Sequence, residues 1–208
     1  SLYYLLCLLE GWRKQIFMCF AGFMLVTMYG TSLKTMLLLW GVVQVIGYFI
    51  SPVVGRFIDR IGERSVLIIY YLIMNVVFLG YAFIPGWENH IPSLSWLAEN
   101  RHILLYIIFV ADSVFFSFAM ALTTYVNRIA PPAEHTATLS MGVAMNHVSA
   151  VSMPLVGGLL WTSFGPKYTF LVGSVAVVAS TVASLFVPAP GRSVSYEEDE
   201  VVQASMPV

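Results

Sequence analysis

Six long apolar stretches, separated by clusters of Gly, Pro and charge, leave this chain one kind of environment to fold in. They lie near 3–28, 35–54, 65–84, 102–125, 138–162 and 168–188. A membrane-spanning helix takes about 20 mostly apolar residues, so six fit a 208-residue chain with short connections and one tail. Charge is correspondingly scarce. Asp, Glu, Lys and Arg make up 10% of the residues and hydrophobic side chains 59%, at a mean hydropathy of +0.82; soluble domains carry roughly 25% and 45–50%. Ten basic and eleven acidic residues give a net charge of −1, which offers nucleic acid no basic stripe. The expectation is an all-α membrane protein that partners the lipid bilayer and no nucleic acid, and a soluble enzyme is excluded.

The first stretch carries charge in its middle. A helix starting after Lys14 and ending at the turn Gly30-Thr31-Ser32 would have about 15 residues, or roughly 22 Å. That is short of a hydrocarbon core of about 30 Å. The span therefore reaches back to about Tyr3, and Arg13–Gln15 fall near the midplane. With these set aside, Arg56, Arg60, Arg64, Arg128 and Arg192 collect on one side and Lys34, Arg101 and Lys167 on the other. The positive-inside bias puts both chain ends in the cytoplasm, in an inner or plasma membrane. Trp87, Trp96 and Trp161 are expected at outer headgroup boundaries.

Residues 1–188 thus form one six-helix domain. Residues 189–208, with two prolines and the run Glu197-Glu198-Asp199-Glu200, read as a disordered acidic cytoplasmic tail. Cys7 and Cys19, about 18 Å apart on one helix, are too distant for a disulfide and are expected to be buried thiols. No cleavable signal sequence is evident. The chain begins at Ser1, as a piece of a longer protein would.

Spans 1–3 and 4–6 share a pattern. Spans 1 and 4 carry mid-membrane charge and spans 3 and 6 carry none. Pro52-Val-Val-Gly55 closes span 2 and Pro154-Leu-Val-Gly157 closes span 5. An odd number of spans per unit reverses its direction, so the pattern describes two inverted three-helix repeats, an arrangement of secondary transporters.

Between spans 2 and 3 the chain reads Gly55-Arg-Phe-Ile-Asp59-Arg60-Ile-Gly62-Glu-Arg64. This resembles the cytoplasmic loop signature of the major facilitator superfamily, G-x-x-x-D-R-x-G-x-R/K, and covers nearly the whole chain as one six-helix half. Gly55 is expected to let two helices approach closely and Gly62 to permit a tight reversal. The resemblance implies a gating loop in which Asp59, with Arg60 and Arg64, pairs with a helix end and charges of the other half. Span 5, with Pro154, Gly157 and Gly158, is similar to the Pro/Gly-rich fifth helix of exporters in that family. Met153 stands where their signature has Gly. The tail after span 6 points to the C-terminal half.

Charge inside a membrane costs about 2.5–3.5 kcal/mol per residue on insertion scales. Glu10 lies three and four residues before Arg13 and Lys14, on a shared helix face. The family's helices 1 and 4 line a central cavity, which by resemblance turns Asp112 of span 4 toward Arg13 or Lys14, with Gln15 and Ser113 available for hydrogen bonds. Two readings stay open for this group: Arg13 and Lys14 bind an anionic substrate, or Glu10 and Asp112 carry a coupling proton. Asn146 and His147 of span 5 are candidates for the same cavity, His147 as a proton shuttle. Gln44 and Asn75 read as contacts between helices, and Glu134 or Thr136 as a cap for span 5. The four histidines have no metal-ligand spacing, and no cofactor or catalytic constellation is expected. The function expected is secondary transport of a small solute by alternating access. The alternative is a sensor or scaffold of the same fold that no longer transports.

Overall fold

The computed structural model describes residues 2–89 and 100–188, the side chains of 87–89 excepted. The expectations for Trp87, Trp96, Arg192 and the acidic tail therefore lie outside the described residues. The chain is an all-α, integral multi-pass membrane protein. Its first run is α1 (Leu2–Ile16), a π-helical turn at Phe17–Ala21, and α2 (Gly22–Tyr29). Next come α3 (Leu33–Ile61) and α4 (Glu63–Phe83), the latter extended by a 3-10 turn at Ile84–Asn89. The fourth run is α5 (Arg101–Phe115), a 3-10 turn at Phe116–Ala119 and α6 (Met120–Ile129). The bundle closes with α7 (His135–Phe164) and α8 (Pro166–Ser184). Five helical stretches, all but the first run, are long and apolar enough to cross a membrane among the described residues.

Local chemistry explains the ends. Gly30, in the left-handed region at φ 62°, caps α2 by donating to the Leu25 carbonyl. The Ser32 hydroxyl accepts from the Thr35 backbone N–H at 3.1 Å and starts α3. The segment read as a loop is helical from Gly55 through Ile61, and the reversal consists of Gly62 alone, at φ 81° and ψ 155°. Gly165 does the same between α7 and α8, at φ 90° and ψ 175°. Both lie in a region that is essentially reserved for glycine. Each donates its N–H four residues back, to Ile58 and to Trp161. At the start of α7, Glu134 occupies the cap position without a side-chain cap bond, so that expected cap is corrected. Its side chain is exposed and the backbone turn 131–134 closes the end instead.

The packing has the symmetry the repeat pattern implies. The first run packs on α7 and α8, the fourth run on α3 and α4, and α4 packs along α8. Exchanging spans 1, 2, 3 for 4, 5, 6 maps each of these contacts onto another. Lipid tails provide no hydrophobic drive between helices, so close approach through small residues holds them together. On the first run against α7, a Cβ at Gly11 would come within 2.6 Å of Ser149, and one at Gly142 or Gly157 would overlap the Tyr3 or Phe20 ring. Gly55 and Gly158 have open space where a Cβ would be, which corrects the expected close approach at Gly55. Asn75 donates to the Ser174 hydroxyl and carbonyl at 3.1 and 3.2 Å, tying α4 to α8. Trp161 is half-buried, stacked on Phe20 at 5.6 Å and edge-on to Phe23. Cys7 is buried, whereas Cys19 is exposed, on the uncovered face that Phe23 and Val26 continue.

Candidate functional site

The charged residues of the first and fourth runs meet where the first run crosses α4 and α5. Arg13, Glu10 and Asp112 are 1%, 3% and 2% exposed. One turn of α1 separates Glu10 from Arg13, so Nε and Nη2 of the guanidinium both donate to Glu10 Oε1, at 3.0 and 2.8 Å. The remaining nitrogen, Nη1, donates to Asp112 Oδ1 at 3.1 Å and lies 3.5 Å from Met74 Sδ. Tyr70 donates its hydroxyl to the same Glu10 oxygen at 2.9 Å. The guanidinium carbon sits 5.6 Å from the Tyr70 ring centre and 5.5 Å from that of Phe116, within cation–π range. Glu10 Oε2 has no hydrogen-bond partner among the described residues. Two carboxylates thus share one guanidinium, and with both ionised this cluster carries one excess negative charge.

Lys14 has a different environment. One residue turns a helix by about 100°, which swings it out of the cluster into which Arg13 points. Lys14 is half-buried, makes no ion pair among the described residues, and holds its ammonium 5.3 Å from the Phe116 ring centre. Two clefts meet at this pair. The first, about 230 Å³, is lined by Lys14 and Phe116 with Met18, Trp40, Gln44 and Ser113. Its lining lies on the side of Lys14 toward the end of the bundle where α2 passes into α3. The second, about 340 Å³, is lined by Lys14 and Phe116 with Tyr3, Thr123, Asn146 and His147, toward the opposite end. Arg13 and Asp112 form part of the first floor and Glu10 part of the second.

Of the seven residues expected in a cavity, Glu10, Arg13, Lys14, Asp112, Asn146 and His147 line one cleft or both; Gln15 lines neither. Ser113 bonds the Phe109 carbonyl of its own helix. Gln44, read as a contact between helices, faces the first cleft. Sequence reasoning missed Phe116, Trp40, Thr123 and Tyr70. Phe116 was within reach, because it follows Asp112 by four residues and shares its face. Tyr70 was not, since nothing in its spacing says that α4 crosses α1 at Glu10.

Asp59 and Arg60 are exposed and Arg64 is half-buried. None of the three forms an ion pair among the described residues. The ionic link at this end uses their neighbours instead. Arg128, at the end of α6, pairs with Glu63 at 3.1 Å and donates to the Pro188 carbonyl at 3.0 Å. Pro154 lies within the continuous α7, and of the glycines read with it only Gly157 is a packing site.

No protein-family model matches the chain. Among curated proteins it is similar to an uncharacterized MFS-type transporter of Methanocaldococcus jannaschii, 29% identical over 135 residues. The match covers 64% of this chain and 30% of that relative, so the matched part spans less than a third of the relative's length. The resemblance first carried by residues 55–64 is borne out by this likeness.

Proposed function

We propose that this chain, similar in sequence to a major-facilitator-type transporter, is one six-helix half of a secondary transporter that moves a small organic anion by alternating access. The first run, Leu2–Tyr29, also crosses the membrane and completes the six, and both chain ends lie in the cytoplasm of an inner or plasma membrane. The observation that carries this reading is the pair of clefts meeting at Lys14 and Phe116. Arg13 is consumed by two carboxylates and is a positioning residue. Lys14 supplies the cation that a solute meets, and Phe116 and Trp40 supply apolar walls. An anion with a flat apolar body suits that combination. The other six-helix half covers the open side of the clefts, with Asp59 and Arg64 as the gating contact to it. The excess negative charge of the Glu10–Arg13–Asp112 cluster is the place where a coupling proton would be taken up, with His147 across the second cleft as its relay.

The test uses the full-length protein, with benzoate as probe and benzyl alcohol as the uncharged control. Benzoate raises the thermal unfolding temperature, since a ligand at 100 times its Kd adds about 2.7 kcal/mol to the folded state. Benzyl alcohol does not. Lys14→Met abolishes the shift and Lys14→Arg retains it. Lys14→Met protein that binds and transports anions as well as wild type would sink the reading.

A further inference from the structure

We propose that the acidic stretch Glu197-Glu198-Asp199-Glu200, followed by Val201 and Val202, docks on the basic stripe at the end of α3. The stripe consists of Val53, Arg56, Phe57 and Arg60. Spacings of three, four and seven residues put them on one helical face, and they line a groove of about 500 Å³. All four are exposed. The Arg56 Nε donates only to the Pro52 carbonyl of its own helix, at 3.3 Å, and neither arginine has an ion-pair partner among the described residues. Phe57 stands edge-on to Phe118 of the fourth run, which fixes the groove beside that helix.

The root of the tail is held at the same end of the bundle. Arg128 donates to the Pro188 carbonyl and pairs with Glu63. Glu63 opens α4 immediately after the one-residue turn at Gly62, three residues beyond Arg60. Pro188, the last described residue, is therefore held through Arg128 one ion pair from the start of α4, which follows the groove-bearing α3 across the turn at Gly62. Glu197 lies nine residues after Pro188, a reach of up to about 30 Å when extended. Packed helices lie roughly 8–10 Å apart, so the stripe is well inside that radius. Charge and apolar character both match: the tail brings four carboxylates to two guanidinium groups without an ion-pair partner among the described residues, and Val201 and Val202 suit Val53 and Phe57. Exposed ion pairs are weak singly, but a short tether makes docking intramolecular at an effective concentration in the millimolar range.

The experiment places Phe57→Cys and Val201→Cys in full-length protein carrying Cys7→Ser and Cys19→Ser, reconstituted in phosphatidylcholine vesicles. Disulfide formation under mild oxidant is followed by mass spectrometry of tryptic peptides. The two cysteines link rapidly. Adding Arg56→Gln and Arg60→Gln slows linking about tenfold, as the loss of two exposed ion pairs predicts, and so does neutralising residues 197–200. Arg56→Lys with Arg60→Lys keeps the rate, which separates charge from folding. Linking at the same rate in the neutral variants would mean chance collision of a tethered tail and overturns the proposal. So does the absence of any link, the result if the other half occupies the groove. Loss of linking when phosphatidylglycerol is added assigns the groove to anionic lipid instead, and also overturns it.

Discussion

Arg13 shows how much one side chain decides. It is fully buried and its guanidinium makes two bonds to Glu10 and one to Asp112. Removing one partner of a buried ion pair leaves an uncompensated charge, at about 3–5 kcal/mol. Arg13→Met strands both carboxylates, whereas Asp112→Asn leaves the paired bond to Glu10 intact and keeps an oxygen acceptor for Nη1. Arg13→Met is therefore expected to lower the unfolding temperature of the purified protein far more than Asp112→Asn. Equal losses would show that Asp112 is as essential to the cluster as the guanidinium. The Glu10–Arg13 pairing was legible in the sequence, because a three-residue spacing shares a helix face. The division of labour between Arg13 and Lys14 was not, since two adjacent residues look alike in sequence and differ by a rotation whose consequence depends on the neighbouring helices.

Whole helices were legible wherever apolar length alone defined them, and less so where backbone geometry did. Gly62 was readable as a turn from its place in the loop signature. That the reversal is a single residue follows only from its φ and ψ, as it does for Gly165. The π turn at Phe17–Ala21 contains neither Gly nor Pro, so no residue announced it; Cys19, read as buried, is exposed because no neighbouring helix covers its face. Positions in the region occupied by Gly62 and Gly165 cost other residues about 1–3 kcal/mol. Gly62→Ala and Gly165→Ala are each expected to destabilise the folded protein by that amount in thermal unfolding, with neither side chain touching a cleft. Neutral substitution at both would mean that the turns relax freely. Gly157 and Gly158 make a sharper pair. A Cβ at Gly157 meets the Phe20 ring and one at Gly158 meets nothing within 4 Å. Overpacking costs typically about 1–3 kcal/mol, so Gly157→Leu destabilises and Gly158→Leu does not.

At the scale of the molecule, the two repeats place two clefts end to end with Lys14 and Phe116 as the partition. Met18 lies in the cleft toward the α2–α3 turn and Thr123 in the cleft toward the other end. The helices that carry the partition are the ones with interrupted α-geometry: the π turn begins four residues after Arg13 and the 3-10 turn four residues after Asp112. Non-α turns inside long helices mark places where register and direction can change, and here they stand at equivalent points of the two repeats. If the halves of the complete protein rock about this partition, a carrier opens one cleft while it closes the other; a channel opens both. The expectation is tested with a membrane-impermeant maleimide on full-length protein lacking its native cysteines. Met18→Cys is labelled from outside and Thr123→Cys from the cytoplasm. A solute that raises labelling at one position lowers it at the other, because the two exposures belong to alternative states of one equilibrium. Labelling that rises at both together would require a continuous pore past Lys14, and transport by alternating access would have to be given up.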